Sequence, residues 1–293
     1  DDLDMRISHV IRGADHLSNT SKHVLLYQAL QAPLPLFAHL PMILGPDRKR
    51  LSKRHGATSV TEYSQKGLLP VAVRNYLALL GWSPGDDAEL LAGDELIDRF
   101  DLSRVNKADA VFDLSKLEWM NKRYLSSISA AELEPLLRPI LEEEGLWRSS
   151  WETAERAELL GVIDLLKTRV GSLRDFPDYG RAFFTDDFSY ADDAVERYLS
   201  AGEPEGRERL VGALRDLRNA YATLSPFDLE STERILREIA GERQLKAGQL
   251  IGAVRVATTG RAQAPGLFDV LVTLGRPKTL ERLDRVIETL SHV

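Results

Sequence analysis

Residues 46–59 read Pro-Asp-Arg-Lys-Arg-Leu-Ser-Lys-Arg-His-Gly-Ala-Thr-Ser, a stretch whose side chains suit the handling of phosphate. From Asp47 to Arg54, five cationic side chains stand against one anionic one, inside a chain whose formal net charge is −7. Leu51 can anchor such a loop to a core. The Ser52 hydroxyl can hydrogen-bond a phosphate oxygen, and His55-Gly56 permits a sharp turn. Basic octamers also occur as solvated surface loops, so neighbouring segments must decide between the two readings.

The apolar run Ile7-Ser8-His9-Val10-Ile11 lies upstream, followed by Arg12-Gly13-Ala14-Asp15-His16-Leu17-Ser18-Asn19-Thr20. A short β-branched run ended by glycine reads as a buried strand with polar residues at its carboxyl end. That edge is where ligands bind in open α/β sheets. His9, inside the run, reads as a core histidine, while His16 and Asn19 are placed to line a nucleotide site. Ser21 or Thr20 can cap a helix over 22–31, and Val24, Leu25, Tyr27 and Leu30 supply its apolar positions. A second apolar run, 37–44, leads into the basic loop.

The segments Asp4–Gly13 and Arg50-Leu51-Ser52-Lys53-Arg54 resemble the bacterial glutamyl-tRNA synthetases of class I, the second being similar to that family's KMSKS signature. The resemblance continues through Asn75–Trp82, Val111-Phe112-Asp113, Leu117–Asn121 and Ala264–Asp269, spanning essentially the whole chain. It implies that Lys53, Arg50 and Ser52 form the catalytic loop. Arg50 and Lys53 would bind ATP with His16 nearby, and Arg12 would grip the substrate glutamate. Arg169 would read the third anticodon base, and Ala264, Pro265 and Leu267 would meet another. Arg50 replaces a point-like ammonium with a planar fork. Arg12 also suits a structural salt bridge, Arg169 a helix-end cation, and Pro265-Gly266 an ordinary turn.

The resemblance further implies the substrates L-glutamate, ATP with Mg2+, and tRNA(Glu). The family's His-x-Gly-His element is absent from the spacing of histidines 9, 16, 23, 39, 55 and 292. The chain is therefore read as the carboxy-terminal portion of a longer, monomeric, cytoplasmic enzyme, with its amino-terminal catalytic half missing. A noncatalytic tRNA-binding module is the alternative for this portion taken alone. A glutaminyl-tRNA synthetase would read its anticodon with β-barrels, which the helical patterning after residue 129 opposes.

A 43% hydrophobic, 28% charged chain of 293 residues fits two or three globular domains. No apolar run approaches the roughly 20 residues of a membrane span. Zero cysteines exclude thiolate metal sites and disulfides within the chain, and the histidines have no metal-ligand spacing. No metal site is expected within the chain. The acidic balance disfavours nonspecific coating of nucleic acid but leaves room for a local basic face.

The expected fold is mainly α. The tail of an α/β nucleotide-binding, Rossmann-type domain (1–45) precedes the KMSKS-like loop and a helical stem-contact domain (46–125), followed by two all-α anticodon-binding bundles (126–200 and 201–293). Helices are expected over 62–66, 70–80, 94–100 and 114–124, with no strand after Thr61. Ser129-Ala130-Ala131-Glu132 forms a capping-box pattern, opening a helix that Gly145 ends. Further helices are expected over 151–168, 205–222, 228–240, 247–258, 266–274 and 279–291. The polar stretch 186–204 reads as the boundary between the bundles.

Overall fold

A computed structural model describes residues 1–52, 59–91, 93–200 and 204–291. The molecule is mainly helical and divides into two compact units, Asp1–Tyr124 and Leu125–Val293.

In the first unit, strand β1 (His9–Gly13), helix α1 (Leu17–Ala29) and strand β2 (Leu36–Leu40) form a parallel β-α-β crossover. The register sets Val10 opposite Phe37 and Arg12 opposite His39. Side chains alternate faces along a strand, so these four share one face. Three expectations are corrected here. The helix begins at Leu17, because a 3-10 turn over Ala14–His16 feeds straight into it. Thr20 and Ser21 therefore sit inside the helix instead of capping it. The strand is only partly covered, with Ile11 48% exposed, and His9 is an exposed residue whose Nδ1 lies 3.0 Å from Ser8 Oγ.

Strand β3 (Ile43–Leu44) pairs in parallel with β4 (Ala110–Val111), a strand the sequence pattern did not reveal because it is two residues long. Helices α2 (Val60–Gln65), α3 (Pro70–Leu79), α4 (Gly93–Arg99) and α5 (Leu114–Ser127) follow the expected punctuation, α5 running three residues beyond its expected end. Tyr63, Leu68, Val73, Tyr76, Phe112, Leu117 and Met120 form one core. Tyr76 meets Phe112 edge-on at 5.2 Å, and its hydroxyl accepts from the Asp113 N–H at 2.6 Å. Burial pushes the Tyr76 phenol up to about 12, so it stays protonated throughout the neutral range. Two fully buried asparagines close loops onto these helices. Asn75 Oδ1 accepts from the Leu91 N–H at 2.9 Å and from the Tyr124 hydroxyl at 2.6 Å. Asn121 Oδ1 accepts from the Leu69 N–H at 2.8 Å. These two residues of the resemblance segments thus hold the helical scaffold together.

In the second unit, α6 (Ala130–Glu143) opens on the expected reciprocal box between Ser129 and Glu132. The expected helix over 151–168 is shorter, α7 (Arg156–Leu166), preceded by a 3-10 turn over Ser149–Glu152. Trp151 is the reason: its ring is 1% exposed, edge-on to Phe184 at 6.0 Å and covered by the Arg148 guanidinium at 4.3 Å. Short helices α8 (Phe176–Tyr179), α9 (Arg181–Phe184) and α10 (Asp192–Tyr198) follow. Ala194 and Leu199 join the core made by α11 (Pro204–Thr223), α12 (Leu229–Glu242), α13 (Ala247–Thr259) and α14 (Leu267–Ser291). The polar stretch expected to separate two bundles thus contributes a packed helix. The two expected terminal helices meet within α14 at Gly275, whose φ of 77° and ψ of 163° separate them.

Arg282, on the distal part of α14, is 1% exposed. It donates to the carbonyls of Thr258 and Ala182, both at 2.6 Å, and to Asp186 Oδ1 at 2.7 Å. Its guanidinium also lies 4.8 Å from the Phe188 ring.

Candidate functional site

The basic stretch begins as a tight hairpin on β3. The Leu51 N–H donates to the Ile43 carbonyl at 2.9 Å and the Gly45 N–H to the Lys49 carbonyl at 2.8 Å, with Arg48 in the left-handed region at φ 57°. Asp47 Oδ1 accepts from the Lys49 N–H at 3.0 Å. This frame delivers Arg50 to the turn after β1, where its Nη2 lies 2.9 Å from Asp15 Oδ2. The Arg50 side chain is 71% exposed, and an ion pair that exposed contributes at most about 1 kcal/mol. A polyphosphate carrying several charges can take the guanidinium from Asp15. Ser52 is exposed and follows directly. Lys53 lies outside the described residues.

Arg12 projects from the carboxyl end of β1. Its Nη2 donates to Thr20 Oγ1 at 2.8 Å and its Nε to His39 Nε2 at 3.4 Å, and its Nη1 lies 3.4 Å from His23 Nδ1. The guanidinium carbon stands 5.6 Å from the Phe37 ring. His16 is exposed one turn away, its Nδ1 3.5 Å from Asn19 Nδ2. The first unit therefore gathers Arg12, Asp15, His16 and Arg50 around one strand–helix turn. Sequence reasoning gave Asp15, His23 and His39 no role, and Thr20 only that of a helix cap. The alternation of Phe37 and His39 was the only local sign of the β2 face.

In the second unit Arg169 sits just beyond α7 and is exposed, with no side-chain hydrogen bond or ion pair recorded among the described residues. The backbone around it is fixed. Its N–H donates to the Leu166 carbonyl at 2.8 Å, and Val170 is 2% exposed. Asp175 Oδ2 accepts from the Gly171 and Ser172 N–H groups at 2.8 and 2.9 Å.

The Ala264–Leu267 loop leads into α14. Pro265 is buried, Leu267 is 2% exposed and Ala264 is half-buried. The apolar side chains of Pro265 and Leu267 therefore serve the core. Arg261 ties this loop to α8 through Asp178 at 2.6 Å.

Among the described residues no group of three His, Cys, Asp or Glu side chains is arranged to hold a metal. No described helix is long and apolar enough to cross a membrane.

Residues 1–119 match the family described as tRNA synthetases class I (E and Q), catalytic domain, and residues 129–287 match the family described as anticodon binding domain. The chain belongs to the anticodon-binding domain family and has, ahead of that domain, a segment that matches the class I synthetase catalytic domain. It is 49% identical over 289 residues to glutamate–tRNA ligase 2 of Koribacter versatilis, covering 98% of this chain and 58% of that protein. The glutamate–tRNA ligase of Desulforudis audaxviator is 41% identical over 289 residues, covering 98% and 56%. A crystal structure of a glutamate tRNA ligase from Elizabethkingia meningosepticum in complex with its amino acid superposes with a TM-score of 0.82 at 32% identity, covering 99% of this chain and 59% of that one. The chain spans less than two thirds of the length of each of these relatives.

Proposed function

We propose that this chain is the carboxy-terminal portion of a glutamate–tRNA ligase. The whole protein joins glutamate to ATP as glutamyl-adenylate with release of pyrophosphate, and then passes the glutamyl group to the terminal ribose of tRNA(Glu). The supporting observation is the match of 98% of this chain to glutamate–tRNA ligases, in the order catalytic segment, then anticodon-binding domain. Arg12 grips the glutamate carboxylate with two parallel N–H groups, a match for a planar anion. Arg50 and Lys53 follow the phosphates of ATP, which enters as its magnesium complex, with Ser52 ordering the loop and His16 at the nucleotide. The reaction needs positioning and charge stabilisation and no covalent intermediate on a side chain.

We place the domains at 1–45, 46–125, 126–200 and 201–293, the last two reading the anticodon through Arg169 and the backbone around Ala264, Pro265 and Leu267. The enzyme works as a cytoplasmic monomer. An amino-terminal half completes the nucleotide site. Exposed Ile11, Leu25, Leu26, Leu30 and Leu36 give unit one an apolar surface suited to packing against it.

The same split separates this reading from that of a tRNA-binding module. The purified 293-residue chain is expected to bind tRNA(Glu) weakly and to catalyse no glutamate-dependent exchange of pyrophosphate into ATP. The full-length protein should catalyse it. Exchange by the chain alone would refute the half-site assignment, and absence of exchange in the full-length protein would refute the ligase.

Arg169→Gln in the full-length protein should relax preference at the third anticodon base by about 1–3 kcal/mol, the scale of direct base readout, and leave acceptor-stem dependence unchanged. Charging of tRNAs that differ only at that base measures it. An equal loss on all of them would make Arg169 a phosphate contact or a helix-end cation.

A further inference from the structure

We propose that Thr20 and His39 are positioning residues for glutamate: they fix the plane of the Arg12 guanidinium so that its free edge faces the substrate carboxylate. The proposal rests on Arg12 being the glutamate-binding residue. A guanidinium carries five N–H donors, one on Nε and two on each terminal nitrogen. Thr20 Oγ1 takes one from Nη2 at 2.8 Å, His39 Nε2 the one on Nε at 3.4 Å, and His23 Nδ1 one from Nη1 at 3.4 Å. One N–H remains on each terminal nitrogen, the pair that can address both oxygens of a carboxylate.

The order of donation is fixed by chemistry. Arginine only donates, so Thr20 Oγ1 accepts from it and has its own hydroxyl hydrogen left to give. Arg12 Nε can only donate, so His39 Nε2, 3.4 Å from it and 3.0 Å from Thr20 Oγ1, is an acceptor with its proton on Nδ1. Its single lone pair is shared between the Arg12 Nε–H and the Thr20 hydroxyl, which also lies 3.5 Å from the His16 carbonyl. Arg12, Thr20 and His39 thus form one closed cluster, with Thr20 Oγ1 taking the Nη2–H and His39 Nε2 facing the Nε–H. Its members come from three elements, β1, α1 and β2, and the β1–β2 register sets Arg12 and His39 directly opposite. Phe37, two residues before His39 on the same face, stands 5.6 Å from the guanidinium carbon and limits its swing. An arginine free to rotate loses conformational freedom on binding, whereas one held in plane has already lost it.

The test is steady-state kinetics in the full-length protein, with glutamate and ATP varied separately. Thr20→Val keeps the shape and removes the hydroxyl. It should raise KM for glutamate roughly tenfold, about the worth of a hydrogen bond to a charged group, with kcat and KM for ATP within twofold of the parent. Thr20→Ser should restore the parent value. His39→Leu should act in the same direction as Thr20→Val, and His39→Gln, which keeps a neutral acceptor, should recover part of the loss.

Arg12→Ala is the reference variant. If it raises KM for glutamate while Thr20→Val and His39→Leu leave it within twofold, the positioning role is wrong and the Arg12 assignment stands. If Arg12→Ala is silent, both fall. Equal rises in KM for glutamate and ATP in Thr20→Val, or no rescue by serine, would mark a general disturbance of the fold and overturn the proposal.

Discussion

Alanine at position 53 is expected to slow glutamyl-adenylate formation by the full-length protein ~10²–10³-fold, the usual cost of one donor directed at charge that develops in the transition state. On the proposed assignment glutamate affinity should hardly move, since the ammonium would meet the additional charge that develops only as the pyrophosphate leaves. The hairpin between β3 and Leu51 fixes where the loop begins, and Arg50 already reaches the turn after β1 through Asp15. Single-turnover adenylation at saturating ATP is the measurement. A rate within twofold of the parent would return Lys53 to the status of a solvated surface lysine.

Leucine in place of Arg282 should destabilise the protein by about 3–5 kcal/mol, the cost of removing one partner from a buried charged network. Two carbonyls, of Thr258 and Ala182, would lose their donor in the interior, and Asp186 would lose its cation. Urea unfolding followed by far-ultraviolet dichroism measures the change, and a loss below about 1 kcal/mol would show that the site refills with water at little cost. A pH dependence accompanies it. The hydrogen bond from Arg282 holds the Asp186 carboxyl below its ordinary range. A depressed folded value contributes stability that is present above the unfolded value, about 3.9, and is lost as pH falls through the folded one. The parent should lose this contribution below about pH 4, and Arg282→Leu should have little of it left to lose.

The parts of the fold that were legible in the sequence are those whose cause is local. Ser129 and Glu132 are three residues apart and meet within one turn, so their pattern could be read directly, as could the break at Gly275. What escaped is set by partners distant in sequence. Trp151 looks like the first residue of a helix until Phe184 and Arg148 enclose it, and the helix then starts at Arg156. Asn75 and Asn121 close loops 16 and 52 residues away. Strand β4 exists only because β3 offers an edge 67 residues earlier.

The candidate site divides in the same way. Arg12 and Arg50 belong to segments with recognisable neighbours, so both could be named. Asp15, Thr20 and His39 acquire meaning through the β1–β2 register and the hairpin of the basic loop. The burial of Pro265 and Leu267 is likewise a property of the packed unit.

The contacts of Arg282 also bear on time. Its bond to Ala182 closes a span of 100 residues, whereas its bond to Thr258 closes one of 24. Bringing ends together across the longer span costs more chain entropy, and the guanidinium recovers what it loses by shedding water only when all its acceptors are assembled. Such a contact is expected to form after the folding barrier and to break before it on the way out. It therefore acts as a clasp on lifetime: a chain without it should fold at nearly the parent rate and unfold faster by almost the whole free-energy loss.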